Sequence, residues 1–423
     1  MGVLCPKCCL YISRTPHPLK DKFLVILFFV GYRISFNIVG SISLAELLAL
    51  FGFIAFGYRG LLNYKEVKAV FTLFVILELA KIFSELFVSN GFSSSMKGLA
   101  IPVFSVLNTF FLLKLFMRDE NNIWLGILVC SIAPLAFGTS FDEASSEEIM
   151  AGEGATYLKF FLAPLMLALL LFISQWHTTV IIILYGLLGL AFVVLGARSS
   201  GGTAFIAATV AFVAIRRPKL MSPKRIIIFM SCVALVLYPI YVVYVNRVLD
   251  GEITSGNSEQ LLRSENPYNP IELLKQGRVD AWAAWQAFMD KPLLGHGAWA
   301  YDESRKYLSL ELEITGEKYT PERYKGVDFL VPSHSVIINQ GSQNGILAFC
   351  AILAIFVYFT RLAILAFTRV PSKYALLMSA RLISFWWVGL FSPPSHLRQT
   401  FPLLFATFLT LYLKYKDTNP SSR

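Results

Sequence analysis

Charge is scarce in this chain. Only 15% of its 423 residues are Asp, Glu, Lys or Arg, 56% are hydrophobic, and the mean hydropathy is +0.61. Soluble domains usually carry about 45–50% apolar residues, so an ordinary soluble enzyme is excluded. Cysteine is also sparse: the six are Cys5, Cys8, Cys9, Cys130, Cys232 and Cys350. None lies in the longest hydrophilic stretch, so no disulfide framework holds it. Cys5-Pro6-Lys7-Cys8-Cys9 contains a C-x-x-C without a second ligand pair, and His17 stands alone near it. Reduced thiols or a lipidated juxtamembrane cysteine are expected there before a zinc site. Residues 1–22 carry Pro, Lys and Arg and lack a small-residue cleavage site, so the first apolar run is expected to stay in the membrane.

Long apolar runs are what the chain has in abundance. They fall at 23–40, 43–57, 68–88, 98–117, 122–139, 156–174, 178–196, 201–215, 226–246, 336–359, 376–391 and 400–413, predicting about twelve transmembrane helices. The expected fold is an all-α polytopic membrane protein. Its parts are a tail at 1–22, helices one to nine over 23–246, an outer segment at 247–333, helices ten to twelve over 334–413 and a tail at 414–423. Lys and Arg gather in alternate loops, among them Arg59, Lys65, Lys68, Lys114, Arg118, Arg216, Arg217, Arg369 and Lys373. The positive-inside rule then puts both tails in the cytoplasm and 247–333 outside. It also accounts for the net charge of +10 without a nucleic-acid partner.

The outer segment holds ten Lys and Arg against fourteen Asp and Glu, and is mildly acidic. A second outer loop, 142–153, is acidic too and reads as solvated rather than as a cation or sugar site. Within the long segment, 271–290 has helical periodicity. At about 100° per residue, Ile271, Leu274, Trp282, Trp285 and Met289 form one stripe with Arg278 in its middle and Asp280 on the opposite face. An Arg on an apolar face either snorkels to lipid headgroups or grips a phosphate through its planar fork. Arg198 stands in Gly196-Ala197-Arg198-Ser199-Ser200-Gly201-Gly202, between the seventh and eighth helices. Two readings are open for it: a plain tight turn, or an anion site in which Ser199 and Ser200 cap the eighth helix.

His334 stands where the outer segment re-enters the membrane, and Ile338, Gly341 and Gly345 share its helix face, so a neighbouring segment can approach closely. It is either a structural hydrogen-bonder or a base with a suitable intrinsic pKa. His296, in Lys291-Pro292-Leu293-Leu294-Gly295-His296-Gly297, belongs to a glycine turn or makes a second polar contact. Arg398, before the last helix, snorkels or touches ligand. Asp302-Glu303 and Glu311-Leu312-Glu313 read as solvated helix faces. Glu78, Lys81 and Glu85 have i, i+3 and i, i+4 spacings that let them satisfy one another.

Taken together, these features resemble the O-antigen ligase and polymerase superfamily of bacterial membrane glycosyltransferases. The features are about twelve helices, a long outer loop before the last three, Arg198 at the helix 7 to 8 junction, the run Gly277-Arg278-x-x-Ala281-Trp282 with Lys291–Gly297, and His334. In that family a His-[Asn/Ser/Gln], nine residues and Gly-x-x-[Gly/Thr/Tyr] mark the re-entry helix. Here His334-Ser335, residues 336–344 and Gly345 fit, whereas Ala348 departs and Gln343 stands where many relatives have Glu.

The resemblance implies a GT-C-like fold in the bacterial inner membrane with the active site facing the periplasm. It implies a glycan donor on undecaprenyl diphosphate and an acceptor hydroxyl that attacks the anomeric carbon with inversion. Arg278 and Arg198 would hold the diphosphate and His334 would take the hydroxyl proton. The diphosphate already activates the bond, so no cofactor is implied. No Asp-x-Asp occurs in the chain, and metal-independent chemistry is expected. A ligase acting on lipid A core is favoured slightly over a polymerase acting on a growing glycan, because His334-Ser335-x9-Gly345 is closest to the ligase branch. The rivals from other classes are a lipid-linked oligosaccharide flippase using Arg33, Glu78, Lys81 and Glu85, and a noncatalytic assembly subunit.

Overall fold

The computed structural model describes residues 18–37, 40–58, 60–137, 162–195, 197–216, 223–252, 261–262, 264, 266–316, 329–332 and 334–417. The Cys5-to-Cys9 cluster, the acidic 142–153 loop and Gly196 lie outside them. Each of the twelve apolar runs carries a helix: α1 (Pro18–Gly31), α2 (Leu44–Phe56), α3 (Lys65–Phe87), α4 (Phe92–Arg118), α5 (Asn121–Phe137), α6 (Ala163–Ile173), α7 (Thr178–Val194), α8 (Arg198–Arg216) and α9 (Pro223–Leu249) come before the hydrophilic segment. That segment holds α10 (Pro270–Gln276), α11 (Val279–Asp290) and α12 (Lys306–Thr315). After it come α13 (Val336–Phe367), α14 (Ala375–Phe391), the one-turn α15 (His396–Gln399) and α16 (Phe401–Tyr415).

Among the described residues four helices are long and apolar enough to cross a membrane: Phe92–Arg118, Ser199–Arg216, Val336–Phe367 and Ser372–Phe391. Many large apolar side chains face outward; Ile54, Leu79, Leu86 and Val180 are each at least 60% exposed. In water such a surface would aggregate, whereas lipid tails solvate it. The interior is aromatic. α13 packs on α3, α11, α14 and α16, and its Phe359 and Phe356 stack on Phe405 and Phe385 with ring centroids 4.0 and 4.4 Å apart. Several basic residues expected on the inner face meet acids: Arg118 with Asp21 at 2.8 Å, and Lys373 and Lys414 with Glu120 at 3.3 and 3.8 Å.

Three elements differ from the sequence expectation. The first apolar run ends its helix at Gly31 and turns through a hairpin, β1 (Ser35–Asn37) paired antiparallel with β2 (Ser41–Ser43), with Gly40 at φ 100°. The helix expected over 271–290 is broken at Gly277-Arg278 into α10 and α11, because glycine is a poor helix former and α11 restarts with Arg278 at its N-cap. The third is α13, which runs to Phe367 and kinks at Gly345, where φ is 73° and ψ −171°.

Candidate functional site

The break before α11 decides where Arg278 points. Its backbone is non-helical (φ −141°, ψ 41°), and the side chain leaves the stripe in which periodicity placed it. The guanidinium lies over two rings at the end of α14, with Cζ 5.3 Å from the Trp387 centroid and 5.6 Å from that of Phe391. Cation–π attraction holds it there without neutralising it. Among the described residues it has no ion pair. Burial lowers its pKa, and the Asp280 carboxylate pulls the other way, so Asp280 is not the remote residue the helical wheel made it.

Asp280 reaches His334: His334 Nδ1 stands 3.2 Å from Asp280 Oδ2. His334 is placed by the next residue, because Ser335 is the N-cap of α13. Its Oγ accepts from Ile338 N at 3.1 Å and donates to Gly389 O at 3.2 Å. The carboxylate stands against Nδ1, so Nε2 is the other ring nitrogen, the one that a base at this position would use. The His334 side chain is 58% exposed.

A third group completes the chain. Glu311, on α12, is hydrogen-bonded to Asp280, and its carboxyl is pushed up to about 8, first by burial and then by the charge of Asp280. At neutral pH Glu311 is therefore the protonated partner and donates to Asp280, unlike the solvated face its sequence suggested. His396 lies close enough to His334 to interact with it electrostatically. Burial, and then the charge of His334, push it down to about 4, and its Nδ1 pairs with Thr400 Oγ1 at 2.8 Å. Trp387, Phe391 and His396 were not singled out by motif or spacing, and Glu311 was read only as part of a solvated acidic pair. Their signal is purely tertiary.

The Lys291–Gly297 run is a structural knot. At the Gly345 kink, α13 loses its own backbone partners, and the turn supplies replacements: His296 N donates to Ser342 O, Gly297 N to Gln343 O, and Ile346 N to Pro292 O, each at 2.8 Å. A Cβ on Gly345 would sit 2.0 Å from Leu293 O, and one on Gly295 2.4 Å from Gln343 O. Gly341 admits the ring of Phe288 from α11. The close approach expected at 341 and 345 is thus made by one helix and one loop. The His296 ring is engaged in the same knot, with Nε2 3.0 Å from Ala287 O and 3.1 Å from Tyr307 Oη.

α3 ties this knot to the bundle. Glu85 accepts from Ala298 N at 2.7 Å and from Asn344 Nδ2 at 3.2 Å, while buried Lys81 donates to Gly98 O at 2.6 Å. The α3 charges hold neighbouring backbone rather than only one another.

Arg398 is engaged as well. Its Nε is 2.9 Å from Glu46 Oε1 and its Nη2 3.2 Å from Glu46 Oε2, a bidentate pair in which Glu46 is fully buried. Glu46 also accepts from Ser43 N at 2.7 Å, closing the capping box of α2. Arg398 Nη2 also donates to Ser41 O in β2, so Arg398 neither snorkels nor faces outward. α8 begins at Arg198, and Ser199 and Ser200 are inside its first turn rather than capping it; both carbonyls accept from Thr203 Oγ1. The Arg198 side chain lies outside the described residues. Gly201 serves helix packing, since a Cβ there would meet Gly189 O of α7 at 2.4 Å, while Gly202 is open.

The structure thus brings His334, Arg278, Asp280 and Glu311 to one end of the bundle and sets His296 and Arg398 into the scaffold. Among the described residues no three His, Cys, Asp or Glu side chains converge as metal ligands would. No protein-family model matches the chain, and no curated protein matches it.

Proposed function

We propose that the chain is a membrane glycosyltransferase that moves a glycan from undecaprenyl diphosphate to an acceptor hydroxyl with inversion. The observation that carries the reading is the His334–Asp280 pair together with Arg278, which lies on two aromatic rings and makes no ion pair among the described residues. With Asp280 against Nδ1, Nε2 of His334 is assigned to accept the acceptor proton as the new C–O bond forms. The anomeric C–O bond to the diphosphate breaks on the opposite face of the sugar, and Arg278 balances the charge that grows on the leaving phosphate. Arg198 opens α8, which packs along α14, the helix carrying Trp387 and Phe391, and is assigned the same role. The acceptor is read as lipid A core, making the protein an O-antigen ligase, with a polymerase of the same superfamily as the alternative. The site would face the periplasm of a bacterial inner membrane crossed by about twelve helices.

The transport reading loses support because Lys81 and Glu85, which a midplane path would need, are bonded to backbone. The test is a gel of surface glycans from a deletion strain complemented with wild type, Arg278→Ala or His334→Ala. Long polymer that stays on its lipid carrier marks a ligase, and core capped by one repeat unit marks a polymerase. A wild-type pattern from both correctly inserted variants overturns the assignment.

A further inference from the structure

The hydrophilic segment carries an apolar face of its own. On α11, Trp282, Trp285 and Met289 recur at helical spacing and Leu293 follows one step on; they are 41%, 39%, 54% and 74% exposed. The opposite face is turned inward, where the four alanines of α11 and Phe288 are buried. Both acids of the helix are engaged, Asp280 with His334 and Asp290 with Lys306. Gln286, at the edge of the stripe, donates to Asp290 at 3.1 Å. A row of large apolar side chains left outward in this way marks a surface against which something apolar lies.

The position of this row against α13 identifies the occupant. Trp285 and Phe288 meet the Phe349 ring with centroids 6.4 and 5.1 Å apart, and Pro292 O accepts from Ile346 N at 2.8 Å. Residues 346 and 349 are about one helical turn apart, so the 285–292 stretch lies across α13 at a single level, just past the Gly345 kink. Gly345 is the tenth of the 32 residues of α13. The 22 residues that remain make about 33 Å of helix at about 1.5 Å each, against a hydrocarbon core of about 30 Å. Arg361, near their far end, has a side chain long enough to reach headgroups there. Ile346 and Leu347 are themselves 37% and 54% exposed, so the outward face of 285–293 adjoins outward apolar residues of a helix long and apolar enough to cross a membrane. Tryptophan is favoured at that boundary, where its ring is apolar and its N–H meets the headgroup level.

We propose that α11 is a membrane-surface helix: Trp282, Trp285, Met289 and Leu293 lie among lipid acyl chains just below the headgroups, in the leaflet at the His334 end of the bundle. The hydrophilic segment is then not held clear of the bilayer, and Arg278, the N-cap of α11, is carried by the inserted element. The inference does not rest on the glycosyl-transfer reading.

The test uses the full chain in phosphatidylcholine nanodiscs and compares its tryptophan emission with that of Trp282→Phe/Trp285→Phe, so that the difference is the emission of those two rings. Phosphatidylcholine brominated near the top of its acyl chains should cut that difference at least about twofold, because an interfacial helix buries its apolar face about 5–10 Å into the headgroup–acyl boundary. Lipid brominated at the chain ends should cut it less, and iodide in the buffer should leave it nearly unchanged. Quenching by iodide and not by lipid would put the face in water, and quenching by neither would mean that a second copy of the chain covers it; each overturns the proposal. Leu293→Trp adds a reporter at an outward side chain without removing a native ring, and its added emission should follow the same pattern, which keeps the test decisive where the double variant misfolds. None of these signals depends on glycan transfer, so an inserted α11 in a chain that transfers no glycan would sink the proposed reaction and leave this inference intact.

Discussion

Arg398 and Arg278 flank the same α14–α15 junction and have opposite surroundings. Arg398 is 13% exposed and grips a fully buried carboxylate with two nitrogens. Arg278 lies on the faces of Trp387 and Phe391, with Asp280 turned toward His334. A paired buried arginine is a structural bolt, because removing it strands its partner. An arginine held by aromatic rings keeps its charge available for a ligand. Sequence alone gave both the same two readings, headgroup or ligand.

The comparison breaks most sharply on paired substitutions. His334→Ala and Arg278→Ala should each lower glycan transfer by about 10²–10⁴-fold while leaving the melting temperature near wild type. Arg398→Ala should do the reverse, costing about 3–5 kcal/mol of stability by leaving Glu46 uncompensated, with partial recovery in Arg398→Met/Glu46→Gln. Thermal melts beside the glycan gel check all four proteins. If Arg278→Ala melts as low as Arg398→Ala, the distinction between the two arginines fails.

A smaller effect sharpens the comparison through pH. The Glu311 carboxyl is raised from its ordinary 4.5 to about 8, so the folded protein binds that proton more tightly than the unfolded chain does. Its contribution to stability is fully present below about 4.5 and is lost as pH rises through about 8. Glu311→Gln should remove this loss, so the variant gains stability relative to wild type between pH 5 and 9. In activity, wild type should fall on the alkaline side near 8 as Glu311 ionises beside Asp280, and Glu311→Gln should flatten that limb. Identical pH profiles would remove Glu311 from the relay. The smallest effect is expected from Arg278→Lys, which keeps the charge and loses the planar stack on Trp387. Transfer should fall less than in Arg278→Ala, with the melt unchanged.

The helices were legible because an apolar run bounded by charge leaves the backbone few alternatives, and each such run between 23 and 413 carries a helix. His334 and Arg278 stood out in the sequence as residues out of place, a histidine at a helix mouth and a cation in an apolar stripe. The stripe itself failed at Gly277, where propensity outweighed periodicity. The contact of Asp280 with His334 was not legible, because nothing local shows which distant residue the fold brings to it. Glu311 was taken for a solvated residue because nothing local marks a carboxyl that another helix will cover. Arg398 was undecidable without Glu46, which lies 352 residues away.

The Gly345 kink bears on how this chain can be taken apart. In sequence the hydrophilic segment reads as a cassette bounded at 247 and 333. Its 292–297 turn nevertheless supplies backbone partners to residues 342, 343 and 346, which lie beyond the far border. A chimera cut at 333 would graft a foreign turn onto a helix break shaped for the native one, leaving carbonyls bare in an apolar surrounding. The transplantable unit runs through Ile346, and His334, Asp280 and Glu311 travel with it.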